Sequence, residues 1–256
     1  MKKQFYAIAG KVLPGFITRR FSGLALHLDR DRFMQMAHQV AHAPNMELGL
    51  RRLAERGLKP EHVVDVGAFE GGWARMARRI WPAAQITMLE GNAHKRPILE
   101  PIAENIGATL HFAVLGPEDG REVVFHVMES GSSVLPENSP RARTQERMET
   151  RRLDSLLAGT SPDFLKLDVQ GYELEVLKGA EAVLGSAKAV LMEVALIEIN
   201  KGAPLLAQVV GFMKDRGFEV CDILEIHRRP LDKATNQIDL LFVPGTSPLL
   251  ADTRHY

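Results

Sequence analysis

From residue 62 onward, short apolar runs alternate with stretches whose apolar residues recur every three or four positions. That is the pattern of strands and amphipathic helices in turn. Residues 62–67, opening His62-Val63-Val64-Asp65-Val66, read as a first strand, and Ala74, Met76, Ala77 and Ile80 give a helix over 71–81 that Pro82 stops. A second strand is expected over 85–90, a helix over 94–106 before Gly107, and a third strand over 108–114. Val123, Phe125 and Val127 alternate strictly, so 121–128 reads as another strand. Further strands are expected over 164–169 and 189–194, the latter almost continuously apolar, as a parallel strand covered on both faces should be. A helix over 204–216 ends at Gly217. Runs 218–222 and 238–243 then close the chain with no room for a helix between them, which suggests an antiparallel hairpin on an otherwise parallel sheet. The expected fold is α/β.

Outside this alternation the pattern changes twice. Residues 1–58 read as helical, broken at Pro14-Gly15 and Pro44-Asn45 and capped at Gly57, and are expected to form an appendage to a domain over 59–256. Phe5, Ile8, Val12 and Phe16 could share one helical face, with Lys2, Lys3, Lys11, Arg19 and Arg20 elsewhere. Such a stripe suits peripheral membrane contact; packing across the domain is favoured, because capping helices commonly use such stripes. Residues 129–147, rich in Ser, Gly and Pro, read as a loop serving as lid or substrate wall. Five arginines against two glutamates over 141–152 give a local charge of +3. That could favour an anionic substrate, although a solvated surface accounts for it more simply.

Charge and cysteine usage narrow the function. Lys plus Arg and Asp plus Glu both number 32, so no global basic footprint argues for nucleic acid. Cys221 is the single cysteine, which excludes an intrachain disulfide and a cysteine zinc site and fits a reducing cytoplasm. It lies in an apolar-rich run and reads as a packed residue. Lys11 interrupts the first apolar run, leaving it too short for a signal peptide, and no stretch approaches transmembrane length.

The candidate chemistry starts at the first strand. Asp65-x-Gly67-x-x-x-Gly71 is not the Gly-x-Gly-x-x-Gly fingerprint of dinucleotide sites, and an acid before the first glycine would repel a pyrophosphate. Glu90 ends the second strand about 20 residues past Gly71, where a ribose-binding acid belongs. Acid, glycines, helix start and second acid together describe a nucleoside carrying an amine and a carboxylate without phosphates. S-adenosyl-L-methionine fits. The cofactor residues expected are Asp65, Gly67, Ala68, Phe69, Glu70, Gly71, Glu90, Gly91 and Asn92. An NAD-type Rossmann oxidoreductase and a non-catalytic nucleoside-binding protein are the alternatives.

Further along, Phe164-Leu165-Lys166-Leu167-Asp168-Val169-Gln170-Gly171-Tyr172-Glu173-Leu174-Glu175-Val176-Leu177-Lys178-Gly179-Ala180 resembles the hallmark of FkbM-family methyltransferases. In that family a hydrophobic strand leads to Asp, a hydrophobic residue, Glu or Gln, Gly, any residue and Glu, followed by Val-Leu-x-Gly. The Asp65 loop, Glu90 and the closing run 238–243 also resemble it, so the likeness covers about 60–243. It departs where many members have Pro-Asn after the second-strand acid and this chain has Gly91-Asn92. The resemblance implies a class I, Rossmann-like, mostly parallel seven-stranded sheet with a terminal antiparallel hairpin. It also implies S-adenosylmethionine-dependent methylation, mostly of hydroxyls on sugars, polyketides or other small acceptors, glycans included.

Methyl transfer needs acceptor and methyl held near contact and the acceptor relieved of a proton. In the class I arrangement Asp168 would end the strand beside that of Asp65 and face the methyl. Lys166, two residues earlier, shares its face and could pair Asp168 or Glu193; a snorkelling strand lysine is the alternative. Glu193, inside an apolar run, needs a partner, which makes it a third catalytic candidate. His111, His126 and His227 have no positional argument, and no His/Asp/Glu spacing demands a metal. Nothing in the sequence indicates an oligomeric state.

Overall fold

The computed structural model describes residues 43–139 and 142–255. The amphipathic stripe of residues 5–16 and most of the expected appendage lie outside the described residues. From Pro44 the chain forms one compact unit. That unit therefore begins ahead of residue 59, the start expected from sequence. The reason is helix α1 (Met46–Glu55), capped by the Asn45 side chain accepting from the Leu48 N–H at 3.0 Å. Its Leu50 and Leu53 are fully buried in the domain core, so they are not part of a separate appendage.

Then follow β1 (His62–Val66), α2 (Gly72–Ile80), β2 (Gln85–Glu90), α3 (Arg96–Ile106), β3 (Thr109–Phe112) and β4 (Val114–Leu115). Next come β5 (Glu122–Val127), β6 (Thr144–Arg151), α4 (Leu153–Leu156), β7 (Phe164–Leu167), α5 (Glu173–Lys178), α6 (Glu181–Ser186) and β8 (Ala189–Ala195). Helix α7 (Leu206–Lys214) precedes β9 (Phe218–Arg228) and β10 (Thr235–Pro244). The main sheet has seven strands in the order β3-β2-β1-β7-β8-β10-β9. All pairs from β3 to β8 are parallel, and β10 runs antiparallel to both β8 and β9. This is the expected class I, Rossmann-like sheet with its terminal hairpin.

The apolar runs divide between two cores by strand alternation. Val64, Val66, Leu165, Leu167, Val190 and Met192 face one side, with Val176 and Leu177 of α5 and Val209 and Met213 of α7. Val63, Ile86, Met88, Phe164 and Leu191 face the other, with α1, α2 and Leu99 of α3. Both faces are covered, which is why the central strands are nearly all apolar.

Two expectations need correction. The strand expected over 108–114 is two strands in different sheets, because Ala113 turns to donate to the Glu90 carbonyl at 3.0 Å and β4 joins β6 instead. The loop expected over 129–147 is shorter, since β6 begins at Thr144 and pairs antiparallel with β5 in a small sheet, β4-β6-β5. Thr-Gln-Glu-Arg-Met-Glu-Thr-Arg is exposed along most of its length, so it has no apolar alternation to betray a strand.

Candidate active site

In this sheet the connections wind one way from β1 through β2 to β3 and the other way from β7 to β8, so the C-terminal ends of β1 and β7 flank a topological switch point, where open α/β sheets bind ligands. The two strand ends approach closely. Gly67 has φ +78°, and a Cβ there would lie 1.9 Å from the Asp168 carbonyl oxygen. Only glycine fits.

On one side of this point opens a cleft lined by Gly67, Phe69, Glu90, Gly91, Asn92, Phe125, residues 130–134, Asp168 and Tyr172. Glu90 is buried, and its two carboxylate oxygens accept from the Phe69 and Asn92 backbone N–H groups, each at 2.8 Å. Burial pushes its carboxyl up, and those two hydrogen bonds oppose the shift. Phe69, with φ +50°, lies under the Lys95 ammonium at 4.0 Å from the ring centroid, and Lys95 pairs Glu70 at 2.9 Å.

At the switch point sits a buried charge network. Lys166 Nζ lies 3.1 Å from Asp65, 3.5 Å from Asp168 and 3.0 Å from the Gly67 carbonyl. Burial pulls the pKa of this ammonium down, but Asp65 and Asp168 more than reverse that and hold it above the ordinary lysine value. Asp65 is fully buried; burial pushes its carboxyl up and Lys166 pulls it back. Gln170, in a left-handed conformation with φ +58°, donates through Nε2 to both Asp168 and Glu193 at 2.8 Å.

Beyond Asp168 lies a second cavity, lined by Asn45, Met46 and Glu47, by Gly72, Trp73 and Met76, and by Lys166, Asp168, Glu193, Glu225, His227 and Asp239. Burial first, then the Asp168, Asp239 and Glu173 carboxylates, push Glu193 well above the usual carboxylate range. His227 is raised by its 2.7 Å hydrogen bond with Asp239. Asp168 lines both spaces.

The family model described as the methyltransferase FkbM domain matches residues 65–220, more than half of the chain. The chain belongs to this family. Among solved structures, methyltransferase FkbM from Methylobacillus flagellatus KT is 15% identical with a TM-score of 0.47, the match covering 70% of this chain and 43% of that one. Precorrin-6y C5,15-methyltransferase from Geobacter metallireducens GS-15 is 15% identical with a TM-score of 0.45, covering 77% of this chain and 87% of its own. The N-terminal domain of EvdMO1, solved with SAH bound, is 12% identical with a TM-score of 0.47, covering 78% and 80%. No curated protein matches.

Within this FkbM domain the expected site residues separate into three groups. Gly67, Phe69, Glu90, Gly91, Asn92 and Asp168 line the first cleft. Lys166, Asp168 and Glu193 line the second cavity. Asp65, Ala68, Glu70 and Gly71 line neither. Asp65, expected from the sequence to contact the cofactor, is instead fully buried against Lys166 at 3.1 Å. Gly71 is required by packing, since a Cβ would meet Ile102 at 2.9 Å and its φ is +67°. The partner of Lys166 is Asp65 as well as Asp168, whereas Glu193 is held by Gln170 and Gln237. Residues 130–134, within the loop expected to act as a lid or substrate wall, line the first cleft. Glu225 and Asp239 were not foreseen. A carboxylate inside the apolar run Ile238-Asp239-Leu240 is the signal that marked Glu193, and it could have marked Asp239.

Glu173 supports this turn from below. Fully buried, it accepts from the Val169 and Gly171 N–H groups at 3.0 and 3.1 Å, and burial pushes its carboxyl up to about 7. A folded-state pKa above the unfolded value of 4.5 makes the folded state hold the proton more tightly. This contribution is complete below pH about 4.5 and is lost as pH rises to about 7. Glu173→Gln should therefore gain stability relative to wild type across that window, by on the order of 3 kcal/mol. Urea unfolding at several pH values checks it; a difference independent of pH would show that Glu173 does not titrate there.

Proposed function

We propose that this FkbM methyltransferase takes S-adenosyl-L-methionine into the first cleft and methylates a hydroxyl of a sugar, polyketide or other small acceptor admitted to the second cavity. One observation carries the reading: Asp168 borders both spaces at the switch point of the sheet. A nucleoside suits the first cleft. Glu90 is a buried carboxylate at a strand end, positioned by two backbone donors and still able to accept from a ribose diol. Phe69, Val114, Leu115 and Phe125 supply apolar wall for a base, and Gly91 leaves space that a Cβ would lose against Phe125 at 2.9 Å. The carboxylates at the switch point disfavour a pyrophosphate, whereas a cationic amino or sulfonium group is compatible with them.

Bound S-adenosylmethionine supplies an electrophilic methyl group. The rest falls to the chain. Gln170 holds Asp168 between the two spaces, and Lys166 fixes its other side. Asp168, which lines both spaces, then orients an acceptor hydroxyl and accepts its proton. Carboxylates are weak bases toward alcohols, so positioning is a large part of this role. Incubating the chain with a tritiated methyl donor over a panel of glycans and small hydroxylated metabolites tests the reading. Label should enter an acceptor oxygen and be suppressed by S-adenosylhomocysteine; label entering only nitrogen or carbon would contradict it.

A further inference from the structure

The second cavity contains an arrangement that methyl transfer by itself does not call for. Strand register sets Glu193, Asp239 and Glu225 side by side on β8, β10 and β9. Between Asp239 and Leu240 the register with β9 slips, leaving Leu224 as an extra residue. Such a bulge re-aims side chains: Leu224 enters the core, while Glu225 and, two residues on, His227 line the cavity. One ligand atom each from Glu225, His227 and Asp239 lies within 4.8 Å of the others. Glu193 is nine-tenths buried and makes a fourth wall. The Gln170 and Gln237 amides both donate to its Oε2, at 2.8 and 2.6 Å, which leaves Oε1 turned to His227 Nε2 at 4.0 Å. Lys166 spends its ammonium on Asp65, Asp168 and the Gly67 carbonyl. Three carboxylates and an imidazole thus converge on a cavity whose described lining lysine, Lys166, is already engaged.

We propose that Glu193, Glu225, His227 and Asp239 form a binding site for a divalent transition-metal ion. The donor set decides the class. Three carboxylates with one imidazole suit Mn²⁺, Fe²⁺ or Zn²⁺, whereas Mg²⁺ and Ca²⁺ prefer oxygen alone. Gln170 and Gln237 already orient Glu193, as the outer hydrogen-bond partners of a metal ligand do. The cation neutralises the surplus carboxylate charge of the cavity wall. It also offers open positions to an acceptor hydroxyl within reach of the Asp168 side of the cavity. That second role rests on the proposed methyl transfer; the binding itself does not.

The test therefore reads binding rather than turnover. The full untagged chain, stripped with chelator and dialysed, is titrated with MnCl₂ while the paramagnetic resonance signal of the free aquo ion is followed. One saturable site is expected. Glu225→Gln and His227→Gln, both at half-buried positions that leave the core intact, should each weaken it at least about tenfold. Asp252→Asn, an exposed carboxylate elsewhere, should leave it unchanged. Circular dichroism spectra matching wild type certify that the two variants fold. Absence of saturable Mn²⁺ binding by the wild-type chain, or equal affinity in wild type and both folded variants, would overturn the proposal.

Discussion

Replacing Asp168 by Asn should cut methyl transfer by roughly 10²–10⁴-fold, the usual worth of general-base assistance, while S-adenosylhomocysteine affinity changes little. The side chain keeps its shape and can still accept from Gln170, but it no longer takes a proton. Steady-state kinetics with the acceptor found in the labelling screen, alongside calorimetry of the same variant, separates the outcomes. Turnover within a few-fold of wild type would make Asp168 a structural residue and leave Glu193, 2.8 Å from the shared Gln170 amide, as the stronger candidate. Collapse of cofactor affinity would assign Asp168 to the first cleft alone.

The second large effect concerns stability. Lys166→Met should destabilise the fold by about 3–5 kcal/mol, because it strands the fully buried Asp65 carboxylate, whose oxygens have no other donor within hydrogen-bond reach among the described residues. Adding Asp65→Asn to that variant should recover much of the loss, since the stranded charge is then gone. Equilibrium denaturation of both single variants and the double variant forms a cycle that measures the coupling. A single-variant loss under about 1 kcal/mol, the level of an exposed pair, would show that Lys166 and Asp65 do not depend on each other.

These two residues also mark where the sequence stopped being legible. The run His62-Val63-Val64-Asp65-Val66 reveals a strand, and an acid at its end suggests a ligand, yet the actual partner is Lys166, about a hundred residues away. Pairing across adjacent parallel strands leaves no periodic trace along the chain. The same limit hid the Glu193–Asp239–Glu225 row, whose members are brought together by register and a bulge rather than by spacing. Glu90, by contrast, was readable, because its distance from the glycine loop is set locally by one βαβ unit. So was the terminal hairpin, because two apolar runs too close for a crossover helix have little alternative. Strand β6 was not, since a small-sheet strand exposed on most of its length needs no apolar alternation.

If the Glu90 cleft holds S-adenosylmethionine, titration calorimetry with S-adenosylhomocysteine should distinguish wild type from Glu90→Ala. Losing hydrogen bonds to a charged group costs about 1.5–3 kcal/mol, so single-site binding is expected for wild type and at least about tenfold weaker binding for the variant. Equal affinity in the two proteins, or binding of NAD in place of S-adenosylhomocysteine, would contradict it.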